Sequence, residues 1–163
     1  MPAQSTYDSL ATQTLGTSSS IINFNSISGL YTDLVVVLIG QTTGGADSVG
    51  IRLNADNAGN YMYRVGSGNG SGTGSSAVGN NETSLRVGPF YATQSLVVAN
   101  IAGYSNSSIW KTSISRASNG DNQVGMTTSV WRGTAAVTSL SINALFGSFA
   151  AGTMATIYGI REA

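Results

Sequence analysis

DLVVVLIG, the segment from Asp33 to Gly40, contains six consecutive aliphatic residues between an acidic residue and a glycine. Eight residues are short for a buried helix, and valine and isoleucine are enriched in strands. Because the run is apolar at odd and even positions alike, both faces of the strand must be covered. We therefore predict a central β-strand that is buried on both sides.

Short runs of the same kind recur along the chain, separated by residues typical of turns. The predicted strands are Leu10 to Gly16, Ser20 to Phe24, Asp33 to Gly40, Val49 to Asn54, Tyr61 to Val65, Thr83 to Val87, Ser95 to Ile101, Ile109 to Arg116, Val124 to Arg132, Thr138 to Asn143 and Thr153 to Ile160. Ten or eleven short strands without a convincing helix predict an all-β, single-domain β-sandwich of jelly-roll type. An up-and-down barrel is the alternative.

Length and composition agree with a single domain spanning residues 1–163. A chain of 163 residues can bury one substantial core without disulfides or metals. Glycine, serine, threonine and asparagine make up nearly half of the sequence, which favours strands joined by turns over helices.

The segment from Gly66 to Asn81 differs from the rest of the chain. It reads GSGNGSGTGSSAVGNN, sixteen residues with six glycines and no strong apolar anchor. We predict a flexible Gly/Ser-rich surface loop that joins two strands within the domain. The alternative is an extension that becomes ordered against a neighbouring subunit or another protein.

The residue types exclude several classes of function. The chain has no histidine and no cysteine, so it lacks the usual parts of nucleophilic triads and of zinc, copper or iron–sulfur sites. Only 9% of residues are charged, with seven basic and seven acidic side chains, and no basic stripe for nucleic acid can be built. We expect no membrane partner, since no apolar run approaches 18 residues, and no export, since the start has neither a basic nor an apolar leader region.

The same low charge suggests that other subunits cover part of the surface. A monomer that stays dispersed normally carries more charge. Six of the seven basic residues are arginines, which suit subunit interfaces because they form bidentate pairs and stack on aromatic rings.

Two groups of polar residues are possible sites, and neither predicts a catalytic or metal-binding function. The carboxylates are Asp8, Asp33, Asp47, Asp56, Glu82, Asp121 and Glu162. Asp47 and Asp56 flank one predicted strand, which separates them by roughly 25–30 Å, too far for a glycosidase pair. Residues Asn54 to Asn60 are rich in oxygen ligands, but only Asp56 is charged, so turn formation is a better interpretation than calcium binding.

Aromatic residues offer a second kind of candidate site. A sugar-stacking platform could be built from Tyr61, Tyr63, Tyr91, Tyr104, Trp110 and Trp131. Core packing is the favoured interpretation, because most of them lie within apolar runs. We therefore predict no catalytic, cofactor-binding or metal-binding residues.

Several segments, taken in order, resemble short all-β virion proteins of tailed bacteriophages. They are Thr14-Leu15-Gly16, Ile22-Asn23-Phe24-Asn25-Ser26-Ile27, Tyr31-Thr32-Asp33-Leu34-Val35-Val36, Arg52-Leu53-Asn54-Ala55-Asp56 with Gly59-Asn60-Tyr61, Trp131-Arg132-Gly133-Thr134-Ala135-Ala136-Val137-Thr138-Ser139-Leu140, and Gly152-Thr153-Met154-Ala155-Thr156-Ile157-Tyr158-Gly159-Ile160. The order is more specific than any one motif. Ala55 and Gly133 depart from the pattern, both in turns.

The resemblance implies a virion structural protein, made in the host cytoplasm and located in the virion. We expect a capsid decoration (cement) protein that forms homotrimers on the outside of the head and binds the major capsid protein or other virion proteins. The alternative is a tail fibre or spike component that binds a host-surface glycan. A small depolymerase is the third option, and the missing site chemistry favours a protein that is not an enzyme.

Overall fold

The computed structural model describes residues 6–68, 70, 72, 74–120 and 123–161. These residues form twelve strands: β1 (Tyr7–Thr14), β2 (Ile21–Phe24), β3 (Asp33–Gly40), β4 (Asp47–Leu53), β5 (Tyr61–Gly68), β6 (Gly74–Glu82), β7 (Leu85–Phe90), β8 (Ser95–Ala102), β9 (Lys111–Asn119), β10 (Val124–Trp131), β11 (Leu140–Ala144) and β12 (Met154–Ile160). Within these described ranges there is no helix long and apolar enough to span a membrane.

The strands form two antiparallel sheets. The large sheet has eight strands in the order β1-β12-β3-β8-β9-β10-β5-β6, and the small sheet has four in the order β2-β11-β4-β7. The prediction of an all-β sandwich of jelly-roll type is confirmed, with twelve strands instead of ten or eleven. Two separate sheets replace the closed barrel that was the alternative.

Strand β3 has the predicted bounds and lies in the interior of the large sheet, between β12 and β8. Leu34, Val36 and Leu38 on its inner face are almost completely buried. On its outer face Val35 is buried, whereas Val37 and Ile39 are only partly covered. The prediction of burial on both sides therefore holds for the first half of the strand alone, because no second layer covers the outer face further along.

One hydrophobic core fills the space between the sheets. Its members from the small sheet include Ile22, Phe24, Ile51, Leu53, Leu85, Val87, Leu140 and Ile142, and those from the large sheet include Leu34, Val36, Leu38, Val97, Ala99, Ile101, Ala155 and Ile157. Burial alternates along β8 and β9, as expected for strands with one covered face.

The predicted loop from Gly66 to Asn81 is wrong in most of its length. Strand β5 continues to Gly68 and β6 starts at Gly74, and the two pair from Tyr61 with Glu82 to Gly68 with Gly74. Asn69, Ser71 and Thr73 lie outside the described residues, so the prediction is not assessed there. The composition gave the wrong prediction because backbone pairing, with a hydrogen bond between the Ser67 and Ser75 hydroxyls at 2.8 Å, holds this hairpin without an apolar anchor.

Small residues let β7 approach the large sheet closely. A Cβ atom on Gly88 would lie 2.4 Å from the Cβ of Ala117 on β9, and the φ of Gly88 is 144°. The hydroxyl of Ser129 on β10 donates to the carbonyl of Arg86 at 2.8 Å. This close contact fixes β7 against β9 and β10, and an open cleft remains between β7 and the inner face of β5.

Candidate functional site

The turn from Asn54 to Asn60 is held by its own polar side chains. The Asp56 carboxylate accepts hydrogen bonds from the backbone N–H of Ala58 and from the Asn60 amide, each at 2.9 Å, and from the indole N–H of Trp131 at 2.7 Å. The Asn54 amide donates to the carbonyl of Ala136 at 2.8 Å, and its oxygen accepts from the N–H of Thr138 at 2.9 Å. A cation at this turn would have to displace these donors, so the geometry fits a structural turn better than a calcium loop.

Hydrogen bonding controls the ionisation of Asp56. Partial burial alone would raise the pKa of its carboxyl group, but the hydrogen bonds from Asn60, Trp131 and Ala58, together with the charge of Arg52, outweigh that effect. The pKa of Asp56 therefore lies below its usual range. The charged form of Asp56 contributes to the stability of the fold.

Tyr61 and Trp131 form a buried aromatic pair next to this turn. Their rings stack with centroids 6.3 Å apart, and the Tyr61 side chain is inaccessible to solvent. The Tyr61 hydroxyl accepts from the N–H of Leu53 at 3.0 Å and donates towards the carbonyl of Asp56 at 3.1 Å. Burial raises the pKa of this phenol. The pair is part of the core.

Lys111 packs against the same Trp131 ring. Its Nζ donates to the carbonyls of Ile109 and Thr134, both at 2.7 Å, and lies 5.9 Å from the centre of the Trp131 ring. The residue has no exposed surface. Burial lowers the pKa of the Lys111 amine, because it penalises the charged form. No described carboxylate forms an ion pair with it.

Three further carboxylates have structural contacts. Asp8 pairs with Arg161 at 3.0 Å, and Asp33 accepts from the backbone N–H of Gly103 at 2.7 Å. Asp47 lies at the start of β4 and Asp56 follows its end, so the two occupy opposite ends of that strand, as predicted. Asp121 and Glu162 lie outside the described residues. In the described part of the chain no three acidic side chains are grouped for metal binding.

An open cleft of about 290 Å³ lies between β5 and β7. Tyr63 on β5 and Arg86 on β7 meet there, with the guanidinium carbon 5.1 Å from the centre of the phenol ring. The Tyr91 hydroxyl donates to the side-chain oxygen of Gln123 at 2.5 Å. Phe146, which follows β11, forms part of the wall although its side chain is 78% exposed.

Asp47 fixes the turn that carries Phe146. Its Oδ1 accepts the backbone N–H groups of Leu145 and Phe146, at 3.1 and 3.0 Å, and that of Ser48 at 2.6 Å. Oδ2 is buried and has no hydrogen-bond partner among the described residues. This buried carboxylate therefore holds the backbone that carries the Phe146 ring at the rim of the cleft.

The six aromatic residues of the possible sugar-stacking platform fall into a buried group and an accessible group. Tyr61, Tyr104 and Trp131 are buried, which agrees with the preferred interpretation as core. Tyr63 and Tyr91 line the cleft, and Trp110 is 56% exposed just before β9.

Arg86, Gln123 and Phe146 were not predicted as site residues, and they come from distant parts of the chain. Phe146 alone gave a usable signal. It is an aromatic residue in the turn after a strand, where polar residues are usual.

No protein-family model matches the chain, and no curated protein matches it. Among solved structures, exo-inulinase from Aspergillus awamori is similar over 96% of this chain, with 9% identity and a TM-score of 0.42. The chain spans only 29% of the inulinase chain. The galectin LEC-6 from Caenorhabditis elegans is similar over 93% of this chain and 96% of its own, with 10% identity and a TM-score of 0.37. At these identities the likeness concerns the sandwich fold alone.

Proposed function

We propose that the protein is a structural component of a tailed-bacteriophage virion: a capsid decoration protein that forms homotrimers on the outside of the head and stabilises the shell. The sequence resemblance motivates this function. The observation that carries it is the uncovered outer face of the large sheet, from β8 to β6, which suits a role performed by interfaces.

This outer face exposes a group of large apolar side chains. Its large side chains, exposed by 39% to 64%, are Val78, Leu96, Ile114, Val124 and Met126. Strand register places them on one surface, since Leu96, Ser118 and Val124 are aligned across β8, β9 and β10, as are Arg116 and Met126 across β9 and β10. Apolar side chains clustered in this way are typical of surfaces that bind another protein.

Charge indicates which partner fits the face. Arg64 and Arg116 alternate with the apolar residues of β5 and β9, and these five strands present no carboxylate on the same surface. Packing this face against the same face of a second copy would bring arginines together without a counter-ion. A capsid protein surface with apolar and acidic residues is the better complement, and we assign the face to that contact.

Contacts between copies fit the free edge of β6. This strand pairs with β5 alone, and residues 74–81 include no charged residue and no proline. Exposed edges of this kind are templates for pairing with another chain. We assign this edge to the contacts within the homotrimer.

Reconstitution on phage heads tests the proposal. Purified protein is added to heads assembled without it, and co-sedimentation is measured for the native chain, for Met126→Glu on the outer face and for Leu30→Glu as control, since Leu30 is 78% exposed outside the strands. We expect the native chain and the control to bind and Met126→Glu to fail. Equal binding by all three proteins would contradict the assignment of the face.

Mass and location provide two further checks. Native mass spectrometry should give three times the 16.6 kDa chain mass, and a monomer would exclude the homotrimer. Cryo-electron microscopy of the virion should show this fold at three-fold positions on the head. Density confined to the tail would instead support the second candidate, a fibre or spike component that binds a host-surface glycan, which the cleft beside Phe146 favours.

A further inference from the structure

The cleft between β5 and β7 has the features of a preformed ligand site. Its volume of about 290 Å³ lies just below the usual range for drug-sized ligands, roughly 300–1,000 Å³, and suits a single small ligand unit. The close packing of β7 against β9 and β10 and the hydrogen bonds of Asp47 hold its walls in place. Little ordering is then needed when a ligand binds, which favours affinity.

Aromatic rings supply an apolar surface in the cleft. Phe146 is more exposed than any other described phenylalanine, tyrosine or tryptophan, yet Asp47, only 6% exposed itself, holds its backbone. The Phe146 ring is exposed to solvent although a buried carboxylate holds its backbone. Core packing therefore does not explain the position of the ring. Packing of the ring against an apolar ligand surface would explain it.

Polar groups with unused hydrogen-bonding capacity lie beside these rings. The Arg86 guanidinium makes no hydrogen bond or ion pair with a described side chain, and it is held only by the Tyr63 ring. The Gln123 oxygen accepts from Tyr91, which orients the amide. The cleft therefore presents flat apolar faces together with planar polar groups, the combination that recognises a molecule with C–H faces and a rim of hydroxyl groups.

We propose that this cleft binds a neutral saccharide unit. The sugar's C–H face packs on Phe146, and its hydroxyl groups bond to Arg86 and Gln123. Asp47 and Arg86 both line the cleft, so their opposite charges disfavour an anionic and a cationic ligand alike. The inference does not rest on the virion proposal, because the cleft lies on the inner side of β5 and the capsid contact was assigned to the outer side.

Saturation-transfer difference NMR tests this proposal with a panel of neutral methyl glycosides of hexoses, N-acetylhexosamines and pentoses. We expect saturation of the ring protons of at least one glycoside by the native chain. Phe146→Ala should weaken binding by about tenfold or more, and Arg86→Gln should weaken it as well. Trp110→Ala, which removes a different exposed aromatic side chain, is the matched control and should bind like the native chain.

Three results would overturn the proposal. They are absence of transfer to every glycoside of the panel, equal binding by Phe146→Ala and the native chain, and preferential binding of methyl glucuronide or a sulfated hexose. The last result would assign the cleft to an anionic ligand. Thermal unfolding of each variant shows that it is folded, and none of these measurements depends on binding to phage heads.

Discussion

Tyr61 and Tyr63 lie two positions apart on β5 and point to the same side of the strand, yet their surroundings differ completely. Tyr61 is fully buried, stacks on Trp131 and has its hydroxyl group satisfied by backbone partners. Tyr63 is partly exposed, and its contact with Arg86 leaves space beside it. Residue type and strand position therefore do not decide whether an aromatic side chain belongs to the core or to a binding site. Coverage by the opposite sheet decides it.

The largest expected effect comes from removing the partner of Tyr61. Trp131→Ala should lower the free energy of unfolding by about 3–5 kcal/mol, because it opens a cavity and removes the indole donor from Asp56. Urea denaturation followed by circular dichroism measures the change. A loss below about 1 kcal/mol would show that the stacked pair of Tyr61 and Trp131 is not part of the core.

A matched pair of substitutions tests the two tyrosines directly. Tyr61→Phe leaves the N–H of Leu53 without its buried acceptor and should cost about 1–3 kcal/mol. Tyr63→Phe should change stability by no more than about 0.5 kcal/mol, because its side chain is only partly buried in the cleft. Equal losses in the two variants would remove the distinction between the residues.

Asp56, in the turn next to Tyr61, should make the free energy of unfolding depend on pH, and this effect should be smaller than that of Tyr61→Phe. The pKa of Asp56 is lower in the folded chain than its ordinary value of 3.8, so the unfolded chain binds more protons in the window below that value. The contribution of Asp56 is present above pH 3.8 and is lost as the pH falls below it. Asp56→Asn should flatten this part of the stability profile, and Asp8→Asn, which removes the partly exposed carboxylate paired with Arg161, serves as the comparison variant. An unchanged profile in Asp56→Asn would contradict the lowered pKa.

The smallest expected effect belongs to the rim of the cleft. Phe146→Ala should leave the free energy of unfolding within about 0.5 kcal/mol of the native value, because the ring is mostly exposed. Thermal unfolding measures this change beside that of Trp131→Ala. A large loss would mean that Phe146 belongs to the core, and it would contradict a role for the ring in ligand binding.

Much of the fold could be predicted from the sequence, because the covered strands have clear patterns. The segment from Asp33 to Gly40 was located with its correct bounds, and the alternation of Leu140 and Ile142 with serines marked β11. Strand β6 was missed, since its residues are mostly exposed and carry no apolar periodicity. Hydrophobic patterns report burial, and a hairpin held by backbone bonds leaves no such pattern.

The candidate site could be predicted only in part. Tyr63 and Tyr91 were considered, but nothing in the sequence separates Tyr63 from Tyr61. Arg86, Gln123 and Phe146 are brought together by sheet topology and by the close approach of β7 at Gly88, over distances in sequence that no local motif spans. The buried contact of Asp47 with the Phe146 turn joins residues 99 positions apart.

The burial of Lys111 has a practical consequence for labelling. It is the chain's one lysine, and its amine is enclosed against Trp131 and two carbonyl groups. Acylating reagents and amine-directed cross-linkers therefore find no reactive side-chain amine on the folded molecule. The rate at which such a reagent modifies Lys111 reports opening of the sandwich around this side chain. Lys111 is therefore a built-in chemical probe of unfolding.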